Sequence, residues 1–141
     1  MKKYDKRREN LKTFDVEKLE AKIIEAIENK KGFDIVVLYV KDYTSVADKF
    51  VIATCDSLTH LKAVADEVEY LVKKDLDLLP LSVSGYEENS EWIAIDFLKI
   101  IVHLFTKKTR EYYNLERIWN MAPKKIIENK DIIFNSDISD N

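Results

Sequence analysis

Apolar positions first recur at helical spacing after Asp15, where Leu19, Ile23, Ala26 and Ile27 fall on one stripe and Gly32 follows as a stop. This pattern predicts a helix over 15–31. The run Ile35-Val36-Val37-Leu38-Tyr39-Val40 is apolar on both sides and rich in β-branched residues, which suits a central strand covered on both faces. Residues 41–48 are polar and irregular. Phe50-Val51-Ile52-Ala53-Thr54 reads as a second strand, and Asp56-Ser57 supplies an N-cap for a helix reaching about Lys74, with Leu61, Val64, Val68 and Leu71 on its buried stripe. After Pro80, Leu81-Ser82-Val83-Ser84 reads as a short strand before a turn at Gly85–Asn89.

The next two runs, 92–96 and 100–105, flank Phe97-Leu98-Lys99 and fit a β-hairpin. A turn centred on Leu98-Lys99 pairs 96 with 101, 94 with 103 and 92 with 105. Alternation then writes out both faces. Ile93, Ile95, Phe97, Ile100, Val102 and Leu104 make an apolar face for the core, whereas Trp92, Ala94, Asp96, Ile101, His103 and Phe105 make an amphipathic face suited to a partner. The spacing of Tyr112, Tyr113, Leu115, Ile118 and Trp119 predicts one short final helix closed by Pro123, with Leu115 and Ile118 facing the core. Dense charge marks 1–14 as a loose arm, 15–121 as the single domain and 122–141 as a polar tail with one apolar cluster, Ile132-Ile133-Phe134. The element order implies an α+β fold in two layers, a mixed sheet of about five strands with helices mainly on one face.

Composition narrows the function. Twenty-three Lys and Arg against 26 Asp and Glu give the 141-residue chain a net charge of −3, which disfavours direct binding to DNA or RNA but suits a basic protein partner. Two glycines cannot build a phosphate cradle of the P-loop or Rossmann type. Cys55 stands alone and only His60 and His103 accompany it, so neither a disulfide nor a structural zinc site is expected. No apolar run approaches the ~20 residues of a membrane span and no targeting segment is evident, so a cytoplasmic protein is expected.

Each candidate for chemistry also has a plainer reading. His60, near Asp56 and Asp66, reads as a solvated residue of a first helical turn. Cys55 lies before a helix N-terminus, where a thiol is activated, but reads as a packing residue because no base is placed beside it. Asp75-Leu76-Asp77 has the spacing of a metal-binding carboxylate pair, but it sits at a helix end and reads as solvated charge. Asp96 and His103 share a face at a diagonal within reach of each other, and read as a structural or interface pair rather than a catalytic one. The stretch from Arg110 to Trp119 gathers Arg, Tyr and Trp, the residue types that dominate interfaces.

These residues also form a pattern: Ser45-x-x-Asp48-x-Phe50-Val51-Ile52-Ala53-Thr54, Ser57, Ala63, Ala65-Asp66, Gly85, Trp92-x-x-x-Asp96, Val102-His103-x-Phe105, Arg110, Tyr113-x-Leu115-Glu116 and Trp119. The chain, over 17–121, resembles the ribosomal silencing factor, or Iojap, family. The resemblance implies a domain of nucleotidyltransferase-like topology without transferase activity or cofactor. It further implies binding to the large ribosomal subunit through that subunit's protein fourteen, steric exclusion of the small subunit, repression of translation when nutrients are short, and homodimers off the ribosome. Trp92, Asp96, His103, Arg110, Tyr113 and Glu116 are the contact residues it implies. This chain departs from the family pattern at Tyr39, Cys55, Ser84 and the hairpin turn Leu98-Lys99, where the family carries an acid, a glycine, a glutamate and Gly-Asp. A nucleotidyltransferase or small hydrolase using Asp96 and His103, and a plain dimerisation module, are the competing readings.

Overall fold

The computed structural model describes residues 5–128. Helix α1 (Lys6–Glu9) leads through a 3₁₀ turn into α2 (Val16–Asn29); β1 (Phe33–Tyr39), β2 (Lys49–Cys55) and α3 (Leu58–Leu76) follow. Then come β3 (Ser82–Ser84), β4 (Trp92–Asp96), β5 (Ile100–Thr106), α4 (Lys107–Tyr113), α5 (Leu115–Ile118) and β6 (Lys124–Ile126). One six-stranded sheet runs β3-β4-β5-β2-β1-β6, and it is mixed: β2 and β5 are parallel, while every other pair is antiparallel.

Local chemistry explains most boundaries. The Asp15 carboxylate accepts from the amides of Glu17 and Lys18 to start α2, and Ser57 accepts from the amide of His60 to start α3. Helix α3 passes the expected Lys74 and stops where Asp77 turns left-handed, at φ 55°. The three strands β1, β2 and β5 sort their side chains by parity. Val37, Val51, Ala53, Val102 and Leu104 meet α2 and α3 on one face, whereas Val36, Leu38, Phe50, Ile52 and Phe105 form a second, smaller core on the other. That second face is roofed by Leu115 and Trp119 from the C-terminal helices, so helices cover both faces unequally.

Two terminal segments differ from expectation. The arm expected to be loose is folded from residue 5 onward: Leu11 is buried, Arg8 donates to the Pro80 carbonyl at 2.9 Å, and the Leu79 amide reaches the Arg7 carbonyl at 3.3 Å. One buried leucine among many charges leaves no periodic signal. The sixth strand, β6, lies in the stretch read as tail. It pairs with β1 at the sheet edge, and its Lys125 reaches across to Glu20 on α2 at 2.7 Å. The apolar cluster Ile132-Ile133-Phe134 falls outside the described residues.

Glu20, 3% exposed, sits beneath this edge between Lys125 and Lys49, itself 6% exposed. Burial pulls Glu20 toward the neutral acid, but hydrogen bonds from Lys125 and Lys49 outweigh it and hold the carboxyl below its ordinary range. Burial likewise works against the Lys49 ammonium, and Glu20 and Glu17 overcome it. The result is a buried ionic knot tying α2, β2 and β6 together.

Candidate functional site

The hairpin forms in the register its spacing predicts: Trp92 opposite Phe105, Ala94 opposite His103 and Asp96 opposite Ile101. Its Trp92 face carries an aromatic cluster. The Trp92 ring lies 4.9 Å from Phe105, 5.8 Å from His103 and 4.7 Å from Tyr113, and Phe50 meets His103 edge-on at 5.0 Å and Trp119 at 5.5 Å. Gly85 makes this placement possible. Its φ of +91° and its packing against the Trp92 carbonyl oxygen leave no room for a Cβ, and the loop it opens closes with the Ser90 amide on the Gly85 carbonyl at 2.9 Å.

The Trp92 indole N–H, which can only donate, reaches Nδ1 of His103 at 3.1 Å. His103 therefore carries its proton on Nε2, an atom that is buried without a hydrogen-bond partner among the described residues. Burial pushes the imidazole pKa down to about 4, so the ring is neutral at pH 7. This geometry corrects the expected Asp96–His103 pair. Asp96 instead turns to its own hairpin and accepts from the Leu98 amide at 2.8 Å, because that unpaired donor lies two residues away whereas His103 is a diagonal neighbour already held by Trp92. Leu98 takes a left-handed φ of 71° where the family pattern has glycine. The Asp96 carboxylate supports that strained turn.

Arg110 is turned inward. Its guanidinium forks onto the Glu116 carboxylate through two 3.1 Å bonds, and Nη1 also donates to the Asp34 carbonyl at 2.5 Å and to Thr54 Oγ1 at 2.8 Å. This clamp fastens the C-terminal helices to the ends of β1 and β2. Between its arms the expected single helix breaks at Asn114, whose φ of 46° ends α4 and whose side chain then accepts from the Arg117 amide to start α5. The break rotates the second half out of phase, so Leu115 packs inward while Ile118, expected in the core, is 59% exposed. Tyr112, Tyr113 and Met121 are exposed as well. Of the six candidate residues, Trp92, His103 and Tyr113 converge, Arg110 and Glu116 pair in the clamp, and Asp96 stands apart at the hairpin turn. Phe50 and Trp119 complete the cluster; both stand in the family pattern, but only tertiary packing places them against the hairpin.

The remaining candidates resolve structurally. Cys55 is 1% exposed, and burial next to Asp56 pushes its thiol up to about 12, as a packing residue requires. His60 is not solvated as expected. Its Nδ1 accepts from the Asp56 amide at 2.8 Å and its Nε2 lies 2.6 Å from the Lys30 carbonyl, so it staples the start of α3 to the end of α2. Asp75 is bonded to Lys22 at 2.9 Å while Asp77 forms the left-handed cap, so the two carboxylates do not act as a pair.

The architecture is thus an α+β domain with a mixed open sheet whose hairpin carries an aromatic cluster on one face. The profile of the family described as "Ribosomal silencing factor during starvation" matches residues 13–140, well past Pro123 where the motif resemblance stops. The chain belongs to the ribosomal silencing factor family. It is 33% identical over 105 residues to the ribosomal silencing factor RsfS of Halalkalibacterium halodurans, covering 74% of this chain and 88% of that one. It is 38% identical over 95 residues to the mitochondrial Iojap-related protein of Arabidopsis thaliana, covering 64% and 50%. A crystal structure of a Chromobacterium violaceum protein superposes with a TM-score of 0.72 at 30% identity, covering 76% of this chain and 88% of the other.

Proposed function

We propose that this protein is a non-catalytic translational repressor that docks on the large ribosomal subunit, through its protein fourteen, and excludes the small subunit by bulk when nutrients are short. Family membership carries the reading. The RsfS relatives are named as silencing factors, and a mouse relative, 31% identical over 113 residues, is named for mitochondrial assembly of the large ribosomal subunit. The aromatic face supports it. Trp92 and Tyr113 supply large, rigid and partly exposed rings, with His103, Arg110 and Glu116 holding them in place and Asp96 fixing the hairpin end. The net charge of −3 favours encounter with a basic protein. Off the ribosome, the same face would be shielded by a second copy in a homodimer, and the cytoplasm is where such a factor meets its target.

The test is sedimentation with isolated subunits. The protein should travel with the large subunit, and adding it before the small subunit should lower the fraction of joined ribosomes. A protein left at the top of the gradient refutes the proposal. The enzymatic alternative finds no support in the geometry, since His103 is neutral, buried and held by Trp92, and Asp96 is occupied by the turn.

A further inference from the structure

On the far side of α4 from Trp92, an open cleft of about 1280 Å³ runs between the C-terminal helices, the start of β1 and the end of β6. It exceeds the ~300–1,000 Å³ typical of small-molecule sites. Its apolar lining comes from Phe33, Ile35, Val36, Ile126 and Ile127, with Ile126 63% exposed. Its charge is net negative. Glu28, Asp34, Glu111 and Glu128 line it with no cation partner among the described residues, against the two lysines Lys31 and Lys107; Arg110 and Glu116 cancel each other in the clamp.

Three occupants compete, and charge separates them. The chain's own segment 129–141, which follows the lining residue Glu128 in sequence, carries three aspartates against one lysine. A second copy brings a net charge of −3. Both bring a net negative charge to the carboxylate rim, and a nucleic acid would do so more strongly. We infer that the cleft between α4 and β6 is a second docking site, sharing only the Arg110–Glu116 clamp with the Trp92 face, that takes an extended peptide segment alternating lysine or arginine with aliphatic residues from a protein partner. Apolar side chains would enter over Phe33 and Ile127 while the cations meet the rim, a division of labour usual for peptide grooves. The clamp makes the site rigid, because Arg110 fixes its far wall to the Asp34 carbonyl at its floor.

Fluorescence anisotropy on the full chain tests this, using a short labelled peptide that alternates lysine with isoleucine and a counterpart with glutamate in place of lysine. The lysine peptide should bind and the glutamate peptide should not. Combined Glu28→Lys, Glu111→Lys and Glu128→Lys should weaken binding by about tenfold or more, while Glu87→Lys, an exposed reversal outside the cleft, should leave it unchanged. Glu87, Glu111 and Glu128 are exposed and Glu28 is half-buried, and circular dichroism confirms that the variants are folded. Equal binding of both peptides, or indifference to the rim reversal, overturns the inference. Binding that appears only after removal of 129–141 assigns the cleft to the chain's own tail and overturns it too. Tyr113→Ala should spare peptide binding even where it lowers ribosome docking, so the two sites can fail independently.

Discussion

His103 shows how much one side chain can set. With an ordinary pKa of 6.5 unfolded and about 4 folded, the unfolded chain binds the extra proton in the interval between, so stability is full above pH 6.5 and falls as pH drops toward 4. At 1.36 kcal/mol per unit, the loss at pH 5 relative to pH 7 is about 2 kcal/mol. Urea unfolding at the two pH values should show that difference, and His103→Gln should reduce it to the background left by the carboxylates. Gly85 makes a complementary prediction. Gly85→Ala meets both an unfavourable positive φ and the Trp92 carbonyl oxygen, a backbone atom that cannot move alone, and should destabilise the fold by about 2 kcal/mol or more. An alanine variant with an unchanged urea midpoint would refute this account of the loop.

Among elements, β6 is the least expected. Its backbone completes the edge of β1, but with all three residues exposed it buries little, and the ionic knot beneath it does much of the anchoring. Glu20→Ala should destabilise by about 3 kcal/mol, because it leaves the buried Lys49 ammonium with only Glu17, which is 71% exposed. Denaturant unfolding with an unchanged slope reads this directly. Glu20 and His103 act in the same direction with pH. The Glu20 carboxylate, depressed below its ordinary value, gives stability that is present above about 4.5 and lost as pH falls through its folded pKa.

At the scale of the molecule, the two faces of the sheet divide the work. The α2–α3 face is an apolar core, while the opposite face is a thinner layer in which rings pack on rings and several remain accessible. The proposed docking should therefore separate from stability by depth. Tyr113→Ala removes a ring 44% exposed, so it should weaken large-subunit docking by more than about 1 kcal/mol with little change in unfolding, whereas Trp92→Ala should lower both because it also frees His103 Nδ1. Titrating each variant into large subunits, alongside its unfolding curve, checks the split. Normal docking by the folded Tyr113 variant would remove that ring from the interface.

The sequence by itself determined the α+β class, α2, α3 with its N-cap at Ser57, and the hairpin register down to Trp92 opposite Phe105, because local alternation, helical periodicity and a capping oxygen are written in consecutive residues. The family was legible for the same reason, its motifs being short runs in order. Only the tertiary structure decided that His103 answers to Trp92 and not Asp96, that Arg110 spends its fork on Glu116, Thr54 and Asp34, and that Asn114 splits the last helix and turns Ile118 outward. It alone decided that α1 and β6 fold onto the domain. Each of these outcomes depends on which of several nearby donors and acceptors a side chain reaches. That choice is made by elements distant in the chain, through packing and desolvation that no local pattern encodes.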